Sequence, residues 1–108
     1  MSDLAWSQRE KSIARAAYNK AYRNESDNII KTVKQKANTL SEAKGIWELE
    51  DYLSEKRREM DIKYDYRYSV LIFVLGRLVR EGWANIEDLE GLEKVKLERI
   101  RSIARVDL

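Results

Sequence analysis

Cysteine, histidine and proline are all absent, and glycine occurs only four times. Without cysteine there are no disulfides, no thiol nucleophile and no thiolate metal site. A chain without cysteine is at home in a reducing compartment. Without histidine there is no imidazole acid–base chemistry near neutral pH. With no proline, and with Gly45, Gly76, Gly82 and Gly91 as the only strong breakers, long helices are expected. Long hydrophobic runs are missing too. The longest, VLIFVL (70–75), falls far short of the roughly 20 residues of a membrane-spanning helix. The opening MSDLAWSQREK has no apolar stretch of signal-peptide length. No glycine-rich phosphate loop and no nucleophile motif is present. These absences argue against an enzyme and against a metal or cofactor site.

Nor is there an excess of one charge. Twenty-one basic and nineteen acidic residues leave a net charge of +2, too little for bulk capture of nucleic acid. What is abundant is charge itself, at 37% of residues, beside 44% hydrophobic residues, enough for the modest core of one 108-residue domain. Residues 1–40 and 93–105 lean basic, and the middle is mixed.

Ser7 and Glu10 have capping-box spacing, so helix 1 is expected to start near Ser7 and run to about Thr39. Its length would be roughly 45–50 Å at 1.5 Å per residue. Ile13, Ala17, Ala21, Glu25, Ile29, Val33 and Ala37 form one row of four-residue steps. Ala14, Tyr18, Tyr22, Ser26 and Ile30 form a second, and RNESDN (23–28) is a place where the helix could bend. Thr39 and Glu42 offer another capping box beside a turn at 38–45. Helix 2 then runs from about Leu40 or Ile46 into the sixties. Residues 48–67 are densely charged, whereas YSVLIFVLGRLV (68–79) holds only Arg77. This run suits a buried strand or a buried helix, but no other segment alternates with period two to pair with a strand, so helix is expected. Asn85 caps a last helical region with Ile86, Leu89 and Leu92 inward and a break at Gly91. Val95, Leu97, Ile100, Ile103 and Ala104 carry the pattern on.

Asp61 and Asp65 are four apart on the expected helix 2. Lys56, Arg57, Lys63 and Arg67 are the nearby countercharges, and an ion-pair network is favoured over a divalent-cation site. Basic and aromatic residues mix in EKRREMDIKYDYRY (55–68), but the interleaved acids would repel phosphate. Tyr64, Tyr66 and Tyr68 are expected to be partly buried, with hydroxyls at a polar rim.

On a wheel of about 100° per residue, Ile46, Leu49, Leu53, Met60 and Tyr64 share an apolar stripe on helix 2, bordered by Arg57. Trp47 sits about 100° away, among Asp51, Ser54 and Arg58. Either helix 1 covers this tryptophan or it is an interface anchor, homodimer included. Trp and Arg dominate interface hot spots, and the Ala-rich stripe of helix 1 adds weight to a dimer.

The block WELEDYLSEKRREMDIKYDYRYSVLIFV (47–74) resembles the signature of the cyanobacterial fluorescence recovery protein family. The similarity extends to Trp6–Ser7, KAYRNE (20–25) and EGW (81–83), and covers nearly the whole chain. The resemblance implies an all-α fold whose long helices, about 7–67, form an antiparallel homodimer. A small helical head, about 68–108, completes a single domain over 1–108. It implies a non-enzymatic regulator without a cofactor of its own, cytoplasmic and extending to the periphery of the thylakoid membrane. Its partner would be the photoactivated orange carotenoid protein, bound mainly through that protein's C-terminal domain. The regulator would speed the partner's return to the inactive form and so end quenching of phycobilisomes. The family's functional patch matches Trp47, Asp51 and Arg57, with Glu50, Ser54 and Arg58 beside them. A head contact matches Phe73 and, more loosely aligned, Arg99. Glu50 and Arg58 stand where the family commonly has histidine, which changes the charge of the patch. The alternative is a divergent helical dimer with another protein client, or a weak nucleic-acid binder.

Overall fold

The computed structural model describes residues 5–105; residues 1–4 and 106–108, the ends of the expected 1–108 domain, lie outside the described residues. Four helices follow in order: α1 (Gln8–Asn38), α2 (Ala43–Lys63), α3 (Leu71–Arg80) and α4 (Lys94–Ala104). A 3₁₀ turn, Ile86–Leu89, joins the last two. The fold is all-α, with no strand among the described residues. The run at 71–80 is helical and buries Leu71, Ile72, Val74, Leu75 and Leu78.

Helix α1 starts as its sequence dictates. The Glu10 N–H donates to Ser7 Oγ and the Ser7 N–H to Glu10 Oε1, both at 3.1 Å. The helix is continuous through RNESDN to Asn38. The second expected box, Thr39 with Glu42, does not form. Thr39 instead ends α1, its hydroxyl donating to the Lys36 carbonyl at 3.0 Å. Glu42 occupies the N-cap of α2 without a side-chain cap bond.

The core gathers where α3, α4 and the first half of α1 meet. Ala14, Ala17 and Ala21 lie in one buried cluster with Leu71, Leu75, Leu78, Ala84, Leu89, Leu92 and Ile100. The head's core therefore takes in residues from both sides of the expected 67/68 division, because the small residues of α1 let the other helices approach its backbone. Gly76 does the same for α3: a Cβ there would lie 2.5 Å from Ile103 Cγ2, so α3 and α4 pack closely only with glycine at this point. Gly91 is required by its backbone conformation. Its φ is +106°, and a Cβ would meet Ile13 Cδ1 at 2.6 Å.

Two buried lysines tie this head together. Lys96 is fully buried and donates to Glu10 (3.1 Å), to Glu93 (2.5 Å) and to the Ala5 carbonyl (2.6 Å). Glu10 also accepts the Glu93 N–H at 2.9 Å, so one carboxylate closes the start of α1 and holds the start of α4. Burial alone would raise that carboxyl, but the Glu93 and Ser7 N–H groups and Lys96 outweigh it and hold it below its ordinary value. Val95, expected inward, is exposed. The buried row of α4 runs through Lys96 and Ile100 instead, because Glu10 supplies the lysine with a partner. Lys63 at the end of α2 is likewise not the countercharge of Asp61 and Asp65. It bonds Glu25 at 2.5 Å and Glu81 at 2.6 Å. Asp65 lies beyond the last residue of α2 and pairs with Arg67.

Beyond Glu25 the two long helices leave the head. α1 and α2 touch only sparingly. The molecule measures 53 × 25 × 25 Å with a radius of gyration of 16.8 Å, against about 13 Å for a compact chain of this length. The second half of α1 and most of α2 form an arm with little core of its own.

Candidate functional site

The arm is short of burial, and the candidate residues lie on it. Helix α2 has the stripe expected of it, but within one chain that stripe is covered only near the head. Met60 is buried, whereas Ile46 and Leu53 are exposed. Facing them, α1 exposes Tyr22 and Ile30. A groove between the two helices is lined by Tyr22, Ile29, Ile30, Leu53, Arg57 and Met60. A second, on the outer side of α2, is lined by Ile46, Leu49, Glu50, Leu53, Ser54 and Arg57. Arg57 and Leu53 border both.

Trp47 is 60% exposed, so helix 1 does not cover it. Asp51, Ser54, Arg57 and Arg58 are exposed as well, as is Glu50. None of these five makes a side-chain hydrogen bond or ion pair among the described residues. The charged pair Asp51 and Arg57 is six residues apart, too far round a helix for mutual contact within one chain. The structure therefore brings Glu50, Ser54 and Arg57 to one groove and leaves Trp47, Asp51 and Arg58 on the adjoining arc of the same helix. Such a surface sets exposed Trp47, Ile46 and Leu53 beside Arg57 and Arg58, and tryptophan and arginine are the residues that dominate interface hot spots.

The head candidates sit elsewhere. Phe73 is 55% exposed on α3, on the side of the helix away from its buried row, and Arg99 is half-buried on α4.

The chain matches the family described as "Photoprotection regulator fluorescence recovery protein" over residues 6–104. It belongs to that family. It is 40% identical over 105 residues to the fluorescence recovery protein of Synechocystis sp. (strain ATCC 27184 / PCC 6803 / Kazusa), covering 97% of this chain and 96% of the relative. Among solved structures, that of the Fremyella diplosiphon fluorescence recovery protein is 44% identical with a TM-score of 0.91. It covers 94% of this chain and 100% of that one. The Synechocystis sp. PCC 6803 structure is 41% identical with a TM-score of 0.90, at the same coverages. Fluorescence recovery proteins are thus named as regulators of photoprotection, and this chain shares their all-helical fold.

The sequence did not disclose the depth of exposure along the arm. The apolar residues Tyr22, Ile30 and Leu53 read from periodicity as amphipathic stripes, and Ile62, 66% exposed, was not singled out at all. The available signal was the ratio of stripe length to core. Helices of 31 and 21 residues present more apolar surface than a head of this size can cover.

Proposed function

We propose that this chain works as a homodimer that binds the photoactivated orange carotenoid protein, mainly at its C-terminal domain. By doing so it accelerates that protein's return to the inactive form. The observation that supports this most is the exposed surface of α2, with Leu53 and Arg57 at its grooves and Trp47 on the adjoining arc, in a member of the fluorescence recovery protein family. In this reading the second protomer covers the apolar stripe, antiparallel along the arms. Asp51 and Arg57 make directed polar contacts across the dimer or to the partner. Phe73 and Arg99 add a contact from the head.

No bond chemistry is required. The activated partner is a pair of separated domains whose realignment costs entropy. A protein holding both raises their effective concentration, and about 1.4 kcal/mol off the barrier gives a tenfold rate. Glu50 adds negative charge beside Asp51 where relatives commonly have histidine, so Glu50→His is expected to raise the recovery rate. The functional test is the dark decay of the activated partner's absorbance with and without this chain.

The dimer is tested separately. Size-exclusion chromatography with light scattering should give about twice 12.8 kDa at micromolar concentration. Leu53→Asp places a carboxylate between the two grooves and should return the chain to a folded monomer. Trp47→Ala should weaken association by about 2 kcal/mol, roughly 30-fold. A wild-type chain that stays monomeric across accessible concentrations would contradict the proposal.

A further inference from the structure

A second exposed face lies at the head end, on the first half of α1, away from the arm. Lys11 and Arg15 are one turn apart, an arrangement that disfavours an isolated helix by a few tenths of a kcal/mol. Each is held over an aromatic ring. The Lys11 ammonium lies 5.1 Å from the Tyr68 ring centre, and the Arg15 guanidinium 3.7 Å from that of Tyr66. The rings are themselves fixed: Tyr66 meets Tyr68 at 5.5 Å and Tyr18 at 4.8 Å, and Trp6 meets Tyr68 at 5.9 Å. Gln8, Ser12 and Asn19 complete a shallow, open depression with Lys11, Arg15 and Tyr68.

Neither cation forms an ion pair among the described residues, and the carboxylates of the surrounding segments are engaged elsewhere. Asp65 is bound by Arg67 at 2.8 and 2.5 Å, and Glu10 by Lys96. The two charges are therefore seated on rings but not neutralised. Ring contact of about 0.5–1 kcal/mol biases each side chain toward one position and so lowers the ordering cost of binding. Arginine and tyrosine with a rim of neutral polar groups is the composition of a protein interface. The depression is too open to enclose a small anion.

We propose that the face formed by Lys11, Arg15, Tyr66 and Tyr68 docks an acidic segment of a partner protein, its carboxylates paired with the two cations. This inference does not depend on the identity of the client bound by the arm.

The test is an amide chemical-shift titration of the full chain with an acetylated hexaglutamate peptide at about 0.15 M salt, where long-range attraction is screened. Shifts should concentrate at residues 8–19 and 66–68. Lys11→Glu/Arg15→Glu should weaken binding by about tenfold or more, as should the milder Lys11→Gln/Arg15→Gln should charge reversal perturb the helix. Lys31→Glu/Lys34→Glu, which makes the same change in net charge on the same helix without aromatic backing, should weaken it by less than about twofold. Equal loss in both double variants, or shifts spread along α1, would show bulk electrostatics and overturn the proposal. So would shifts at these amides with inorganic phosphate or phosphatidylglycerol vesicles but not with the peptide.

Discussion

Replacing Lys63 by methionine is expected to destabilise the fold by about 3–5 kcal/mol, the cost of breaking one side of a buried ion pair. Lys63 and Glu25 are both almost fully buried, at 5% and 4% exposure. Without the ammonium, the Glu25 carboxylate keeps only the Tyr64 hydroxyl, which donates to it at 2.8 Å. Glu81 keeps Arg77 and the Trp83 indole, so the loss falls mainly on Glu25. The double variant Lys63→Met/Glu25→Leu should recover much of it, since apolar replacement of a whole buried pair is often close to neutral. Urea denaturation at fixed protein concentration measures both. A single variant within about 0.5 kcal/mol of the parent would show that the pair contributes nothing.

The same network sets an acid limit. Burial alone would raise the Glu81 carboxyl, but the hydrogen bonds from Lys63, Arg77 and Trp83 and the charge of Lys63 outweigh it and hold it down to about 2. A carboxyl depressed on folding contributes stability that is complete above its ordinary value near 4.5 and is lost as pH falls through about 2. Stability is expected to decline between these values, and Glu81→Gln should flatten that decline. Glu81 is partly exposed, so solvent screening moderates the effect. Because Lys63 joins the last turn of α2 to Glu25 on α1 and to Glu81 after α3, this loss falls where the arm meets the head.

Leu75→Asp is expected to be more damaging, costing at least about 4 kcal/mol and leaving little folded protein. Leu75 is fully buried. The substitution removes about 2–3 kcal/mol of apolar burial and forces an unpaired carboxyl into the core, which costs further whether it is charged or neutralised. The loss of cooperative thermal unfolding by circular dichroism reports it. A variant that melts like the parent would mean that α3 is not the centre of the head.

The all-α fold was legible because its signals are local. Ser7 with Glu10 marks a helix start, and the absence of any second period-two segment makes the 71–80 run a helix. The lysines show where local signals fail. Glu25 continues the buried row of Ala17 and Ala21, and Lys96 occupies the row of Ile100. Each reads as polar until a partner distant in the chain, Lys63 for one and Glu10 for the other, makes burial tolerable. Thr39 failed as a cap because α2 starts only at Ala43, with Glu42 at its N-cap, and the Thr39 hydroxyl donates to the Lys36 carbonyl of α1 instead. For the candidate site, the wheel placed Trp47 correctly off the apolar stripe. It could not show that the stripe itself, at Ile46 and Leu53, lacks a cover within the chain. That depends on how far α1 and α2 diverge beyond the head.

The most direct measurement is the dark recovery of the photoactivated orange carotenoid protein, followed by its absorbance, with this chain added. The predicted result is an accelerated return that is lost with Trp47→Ala, Asp51→Ala or Arg57→Ala. Recovery at the unassisted rate with carotenoid proteins from several sources, from both the wild-type chain and Glu50→His, would contradict the proposed function.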